Sequence, residues 1–117
     1  MGTVKVLIPA YKPGNLDAKV YPHWKDAEVF TEIELRNNEI YSVKPHILSS
    51  DTLIINLVKK EKINYVITQS LSIRALELLN RFNVIVLTGK IKTVRDAIEK
   101  FKKKDLYIVS LSKTKLD

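Results

Sequence analysis

The chain contains no cysteine, and this absence excludes a large group of possible functions. Without thiols it can form neither disulfide bonds nor a zinc or iron-sulfur site held by its own thiolates. A metal would therefore need histidine, carboxylate or backbone ligands, and the sequence has just 2 histidines, His23 and His46. Glycine is also scarce, with 3 residues in 117, and no glycine-rich phosphate-binding loop of the Walker or Rossmann type is present.

Long apolar runs are missing as well. No stretch approaches the roughly 20 apolar residues that a membrane-spanning helix needs. Lys5 interrupts the apolar segment near the N-terminus before that segment could serve as a signal peptide. These features predict a cytoplasmic protein that does not enter a membrane. Abundant lysine and isoleucine, with little glycine and no cysteine, are also the composition expected of a protein from a thermophile.

The net charge of +7 is carried by one half of the chain. Residues 1–58 have six Lys/Arg against seven Asp/Glu, a balance of −1, whereas residues 59–117 have fourteen against six, a balance of +8. A basic half can attract nucleic acid, an anionic ligand or an acidic partner. Lysines near helix C-termini would give the same excess, because they interact favourably with the helix dipole.

A basic nucleic-acid-binding module is the least favoured of these interpretations. It would need one contiguous basic stripe with aromatic side chains between the cations. The obvious loop aromatics are Tyr11 and Trp24, which do not interleave with the basic residues. The cations available for such a stripe are Arg74, Arg81, Lys90, Lys92 and Arg95.

Hydrophobic periodicity predicts a single α/β domain of order βββαβαβα over residues 1–105. Five predicted strands are the segments "VKVLIPA", "AEVFTEIEL", "IYSVK", "NYVIT" and "VIVLTG". The second strand alternates, so Ile33 and its neighbours two residues away should face the core, and Phe30, Glu32 and Glu34 a wetter side. "LYIVSLS" predicts that residues 106–117 form one more strand or an apolar strap.

Turn and capping residues set the predicted boundaries of these elements. Asn37-Asn38 tolerates the positive φ of a two-residue hairpin between the second and third strands. Ser50 or Asp51, Ser72 and Thr93 are suited to cap the three helices. Right-handed crossovers would then place helices on both faces of a mixed sheet whose second strand is antiparallel to the others.

This topology would gather the loops at residues 9–26, 45–50, 68–72 and 88–93 along one edge of the sheet. Ligands of such folds bind outside the carboxyl ends of the parallel strands. The polar or small residues expected at that edge are His23, His46, Gln69 and Gly89.

The segments "VKVLIPA", "VYPHWKDAEVF", "NYVIT" followed by "RALELL", and "VIVLTGKIKTVRDAIEKF" resemble the dinitrogenase iron-molybdenum cofactor biosynthesis family over almost the whole chain. In the family's Ser-Pro-His-aromatic-Gly-Arg-Ala element, Pro22, His23 and Ala27 keep their places, and Trp24 stands at the aromatic position. Thr93, Val94 and Ala97 match the family's Thr-Val-x-x-Ala at the start of the last helix. The resemblance implies a ribonuclease H-like, three-layer α/β fold, and we predict a five-stranded mixed sheet ordered 3-2-1-4-5. It also implies binding or carrying of metal-sulfur clusters of the iron-molybdenum cofactor type.

The chain departs from the family pattern at two places that concern ligand binding. Lys25 and Asp26 replace a glycine and an arginine, and "TQSLS" replaces a glycine-rich turn after the fourth strand. Backbone amides at Gln69 and Ser70 can therefore approach an anionic ligand less freely than glycine amides could. Gly89 is retained after the fifth strand.

The candidate cofactor-binding residues are His23, Trp24, Gln69, Ser70 and Gly89, and His23 is the candidate metal ligand. An imidazole in this loop can ligate a metal, or it can bond a neighbouring carbonyl and fix the loop's entry into the second strand. His46 is a less favoured second ligand. Because a transition-metal site normally needs three or four protein ligands, a preassembled cluster held by one ligand is favoured over a bare ion.

No catalytic constellation is found in the sequence. The strands "VKVLI" and "NYVIT" contain no carboxylate, so the acidic cluster of a two-metal nuclease is absent. We therefore predict a non-catalytic binding or carrier protein, with a metal cluster or a cluster-donor protein as its partner and self-association as a further possibility. The alternative is a diverged structural or partner-binding domain without a cluster.

Overall fold

The computed structural model describes residues 2–110. The strands are β1 (Thr3–Ala10), β2 (Val29–Arg36), β3 (Glu39–His46), β4 (Tyr65–Ile67), β5 (Ile85–Thr88) and β6 (Tyr107–Ile108). The helices are α1 (Asp51–Glu61), α2 (Ile73–Arg81) and α3 (Val94–Lys102), and a single 3₁₀ turn covers Trp24–Asp26.

The six strands form one mixed sheet with the order β3-β2-β1-β4-β5-β6. β1, β4 and β5 are parallel to one another, whereas β2 is antiparallel to both β1 and β3. The predicted order 3-2-1-4-5 with an antiparallel second strand is therefore confirmed. β6 adds a sixth strand, antiparallel to β5, through residues 107–108. The rest of the predicted C-terminal strand or strap, residues 111–117, lies outside the described residues.

The sheet has one apolar cluster on each face, because successive strand residues point to opposite sides. On one side, Leu7 and Val66 pack with residues of α1 and α2. On the other side, Val6 and Ile67 pack with residues of α3. These two clusters produce the three layers, with two helices on one face and one helix on the other.

Capping side chains begin all three helices at the carboxyl edge of the parallel strands. Ser50 Oγ accepts from the Leu53 amide, and Ser72 Oγ accepts from the Ala75 amide. Thr93 Oγ1 accepts from the Asp96 amide at 3.0 Å. The hairpin turn is also as predicted, because Asn37 and Asn38 have φ values of 52° and 68°.

The second face of β2 is not wet, which corrects the sequence prediction. Phe30 and Glu32 are each 1% exposed and Glu34 is 8% exposed. Phe30 joins the cluster beneath α1 and α2, while the Glu32 carboxylate is paired with His46 and Lys5. Alternation of charged and apolar residues predicted that one face of β2 would be exposed to solvent. In the structure, the carboxylates on that face are buried and are paired with basic side chains.

Candidate functional site

The long loop between β1 and β2 crosses the carboxyl edge of the sheet, where it is bonded to the start of α3 and to the loop after β4. At the α3 end, the amide of Val94 donates to Ala18 O at 2.9 Å, and the amide of Val20 donates to Lys92 O at 2.9 Å. Farther along, the Trp24 amide donates to Ser70 O, in the loop after β4, at 3.0 Å. The loop is thus held by backbone bonds along its length, which fixes the position of His23.

His23 lies on this edge with an exposed side chain. Its backbone forms a parallel bridge with Ser70, and its Nδ1 lies 3.0 Å from Ser70 Oγ. Its Nε2 has no hydrogen-bond partner within residues 2–110. The ring is therefore oriented by a hydroxyl, with one nitrogen left for a ligand, and it does not bond a neighbouring carbonyl.

Trp24 follows His23 in the chain, but its side chain lies in the core. It is 4% exposed, and its ring centroid is 4.8 Å from that of Phe30. The indole therefore supports the loop from beneath, and the residue reaches the edge through its backbone amide. The structure brings His23 and Ser70 together at the surface and leaves the Trp24 ring out of that surface.

Gln69 and Gly89 lie in a neighbouring open cavity of about 670 Å³. Gln69 Nε2 donates to Ile91 O at 2.8 Å, so the amide joins the loop after β4 to the loop after β5. Gly89 has its φ outside the left-handed region, and a Cβ there would lie 2.8 Å from Leu106 Cδ2. Close packing against Leu106 is enough to account for the absence of a side chain at this position.

The same cavity is basic, a feature that the candidate residues from the sequence did not include. Lys90, Lys92 and Lys100 line it, and none of the three forms an ion pair within the described part of the chain. Lys100 Nζ donates to Lys90 O. The one acidic residue in the lining, Asp96, is engaged by the Lys92 amide at 2.9 Å. The only feature of the sequence that pointed to this cavity was the excess of basic residues in the C-terminal half of the chain.

His46 is bonded to a buried glutamate, and none of its contacts within the described residues joins it to His23. Its Nε2 lies 2.9 Å from Glu32 Oε1, on the face of the sheet that carries α1. Lys5 Nζ lies 3.6 Å from Glu32 and 3.0 Å from Glu61 in the same cluster. The hydrogen bond between Lys5 and Glu61 raises the pKa of Lys5 and lowers the pKa of Glu61. This charged cluster was not anticipated from the sequence.

The donor set does not suit a bare metal ion. Within residues 2–110, no group of three or more His, Asp or Glu side chains is arranged to hold one. The edge offers one imidazole nitrogen, a hydroxyl and nearby lysines. Such a set can supply a single nitrogen ligand and can attract an anion.

A nucleic-acid stripe is not formed by the cations considered from the sequence. Arg74 and Arg81 belong to α2, whereas Arg95 belongs to α3 on the opposite face of the sheet. Arg95 is also paired with Asp17 at 3.0 Å.

Comparison with known proteins identifies the family. The family model described as "dinitrogenase iron-molybdenum cofactor" matches residues 5–104. The chain belongs to this family. The predicted relationship is thereby confirmed, and the match covers most of β1, every later element through α3, and the His23 edge.

Solved structures support the same fold. A Methanocaldococcus jannaschii protein provisionally named as a dinitrogenase is 20% identical, with 94% of this chain and 98% of that chain covered and a TM-score of 0.79. A Thermotoga protein provisionally named as NifB is 23% identical, with coverage of 90% and 92% and a TM-score of 0.73. The apo form of the orange protein from Desulfovibrio gigas is 19% identical, with coverage of 91% and 92% and a TM-score of 0.74.

No curated protein matches the chain significantly. Among the helices of residues 2–110, none is long and apolar enough to cross a membrane. The family relationship makes the chain a small protein associated with the iron-molybdenum cofactor.

Proposed function

We propose that this member of the iron-molybdenum cofactor family is a non-catalytic carrier that binds a preassembled metal-sulfur cluster at the carboxyl edge, with His23 Nε2 as the protein ligand. The observation that carries the proposal is the geometry of His23. Its ring is exposed, its Nδ1 is 3.0 Å from Ser70 Oγ, and its other nitrogen has no partner in the described chain. Imidazoles that ligate metals commonly have the second ring nitrogen held in this way.

Charge supports an anionic cargo. Ser70 follows Gln69 directly, so the His23 edge adjoins the cavity that contains Lys90, Lys92 and Lys100. The amides at the start of α3 do not contribute, because those of Val94 and Arg95 donate to loop carbonyls. The attraction for an anion therefore comes from lysine side chains, which need no glycine-rich turn to approach it.

The cargo is the cluster itself, and the protein's role is to hold and release it. A cluster-donor protein would supply it at the same edge, where His23 is accessible. Within the described chain, no group of three or more His, Asp or Glu side chains is arranged to hold metal ions for two-metal chemistry. Binding through one imidazole and surface charge is consistent with transfer, because a single ligand can be exchanged for that of an acceptor.

The test is anaerobic loading with isolated iron-molybdenum cofactor, followed by desalting and measurement of molybdenum, iron and sulfide per chain. We expect cluster uptake by the native protein and its loss in His23→Ala. Asp26→Ala is the matched control, since it alters an exposed side chain in the 3₁₀ turn that follows His23 and should still take up the cluster. The melting temperature of His23→Ala should be nearly unchanged, because exposed loop side chains contribute little to folding.

One observation favours the alternative of a domain without a cluster. The Gln69 amide, at the position of the family's glycine-rich turn, is already bonded to Ile91 O. Equal uptake by the native protein and His23→Ala would remove His23 from the site. No uptake by either protein, or a large loss of stability in His23→Ala without a ligand effect, would favour the alternative.

A further inference from the structure

Part of the sheet face that carries α3 is left open. Two helices lie over one side, whereas a single helix of 9 residues lies over this one. Beyond the C-terminal end of α3, an open pocket of about 540 Å³ remains over β4, β5 and β6. Its lining residues are Asn38, Tyr65, Ile85, Leu87, Phe101, Lys102, Lys104, Leu106 and Ile108.

The pocket has an apolar floor and a basic rim. Tyr65 and Phe101 pack edge to face with their centroids 4.9 Å apart. Ile85 and Ile108 also line the pocket, and they are 41% and 65% exposed. Large aliphatic side chains left in water cost free energy that an apolar ligand would recover on binding.

Two lysines in the lining make the pocket favourable for a negatively charged ligand. Lys102 and Lys104 line it, and no acidic residue of the described chain does. Lys102 Nζ lies 3.8 Å from Glu99 Oε2, which does not line the pocket, and a pair at this distance on the surface is weak. Ligand pockets of several hundred cubic ångströms commonly combine an apolar lining with a few polar groups that orient the ligand.

We propose that this pocket binds a small organic anion, a carboxylate carried on an aromatic or branched aliphatic body. The body would lie against Tyr65, Leu87 and Phe101, and the carboxylate would lie between Lys102 and Lys104. The pocket is at the opposite end of α3 from the His23 edge, about 13 Å away along a helix of this length. The inference is therefore independent of the cluster proposal.

Titration of the full chain with phenylbutyrate, followed by amide chemical shifts, tests the inference. We expect saturable shifts centred on Leu87, Phe101 and Leu106. The neutral phenylbutyramide should bind about fivefold more weakly, because each exposed ion pair contributes up to about 1 kcal/mol. The Lys102→Met/Lys104→Met double variant should bind the acid and the amide equally.

Lys103→Met is the matched control, because it removes the same charge from the same turn but does not line the pocket. It should bind phenylbutyrate as the native protein does. The inference is wrong if phenylbutyrate does not saturate, if its shifts lie elsewhere, or if acid and amide bind the native protein equally. An equal loss in Lys103→Met and the double variant would also contradict it, since general surface charge would then explain the binding.

Discussion

The contact between His23 and Ser70 is the residue-level basis of the proposed site. Ser70 Oγ lies 3.0 Å from His23 Nδ1, so the hydroxyl can fix the ring orientation and favour the tautomer with an unprotonated Nε2. Ser70 would act as a positioning residue and would not touch the metal. Its effect on binding should therefore be smaller than that of His23.

Ser70→Ala should lower the affinity for isolated iron-molybdenum cofactor by about tenfold, because loss of such a hydrogen bond typically weakens a metal ligand by 10–100-fold. Ser70→Thr retains a hydroxyl and should restore most of the affinity. Imidazole nitrogen shifts of His23 would show whether Ser70→Ala also changes the tautomer. Unchanged affinity and unchanged nitrogen shifts in Ser70→Ala would mean that the serine does not position the ring.

At the residue scale, the sequence predicted that His23 lies in a loop at the carboxyl edge, but it did not predict which side chains contact it. Pro22-His23 before a strand indicated a loop at the carboxyl edge. The partnership with Ser70 depends on a loop folding back over β4 from 47 residues away, which periodicity does not reveal. Trp24 shows the same limit, because its neighbour in the chain is exposed whereas its own ring is buried against Phe30.

Among the elements, the loop between β1 and β2 depends on Gly14. Its φ is +78°, and a Cβ there would lie 2.6 Å from Val29 Cγ1 and 3.0 Å from Pro45 Cβ. Its carbonyl also accepts from Thr31 Oγ1 at 2.8 Å. The loop that presents His23 is thus anchored on the sheet by a residue that cannot gain a side chain without displacement.

Gly14→Ala should reduce the free energy of unfolding by about 2–4 kcal/mol, since strain at positive φ adds to overpacking. Equilibrium urea unfolding measures this difference. Gly2→Ala is the control, because a Cβ at Gly2 meets nothing within 4 Å and should leave stability within about 0.5 kcal/mol of the native value. Equal stability of the two variants would show that the loop is not held as described.

The sequence predicted which segments form strands and helices better than it predicted which of their faces are buried. The periods of 2 and 3.6 residues and the capping serine and threonine residues identified β1 to β5 and all three helices. β6 falls within the segment predicted as one more strand or strap, but it has 2 residues, too few for a period to define its bounds. The burial of the second face of β2 was not predicted, because Glu32 and Glu34 are residues typical of a solvent-exposed face. Their ion-pair partners lie on three strands, namely Lys5 on β1, Arg36 on β2 and His46 on β3.

For the whole molecule, the ion pair of Lys5 and Glu61 predicts a dependence of stability on pH. The bond to Lys5 lowers the pKa of Glu61 below its ordinary value of 4.5, so its stabilising contribution is present above that value and is lost as the pH falls through the lowered pKa. The pKa of Lys5 is raised above 10.5, so its contribution is lost as the pH rises through that raised pKa.

Glu61→Gln should therefore lose less stability than the native protein as the pH falls below 4.5. The difference should be about 1 kcal/mol, because both side chains are partly exposed. Urea unfolding over a series of acidic pH values measures it, and Glu39→Gln, which alters an exposed carboxylate, should keep the native dependence. Parallel curves for the native protein and Glu61→Gln would mean that this pair does not contribute to acid sensitivity.

The central claim concerns the whole molecule as a carrier of a cluster held at the His23 edge. The most direct measurement is anaerobic purification of the native protein and of His23→Ala from the native host, with metal and sulfide determined per folded chain. The account expects molybdenum or iron together with inorganic sulfide on the native protein, and neither on His23→Ala. Equal metal and sulfide on the two proteins, or none on the native protein, would contradict it.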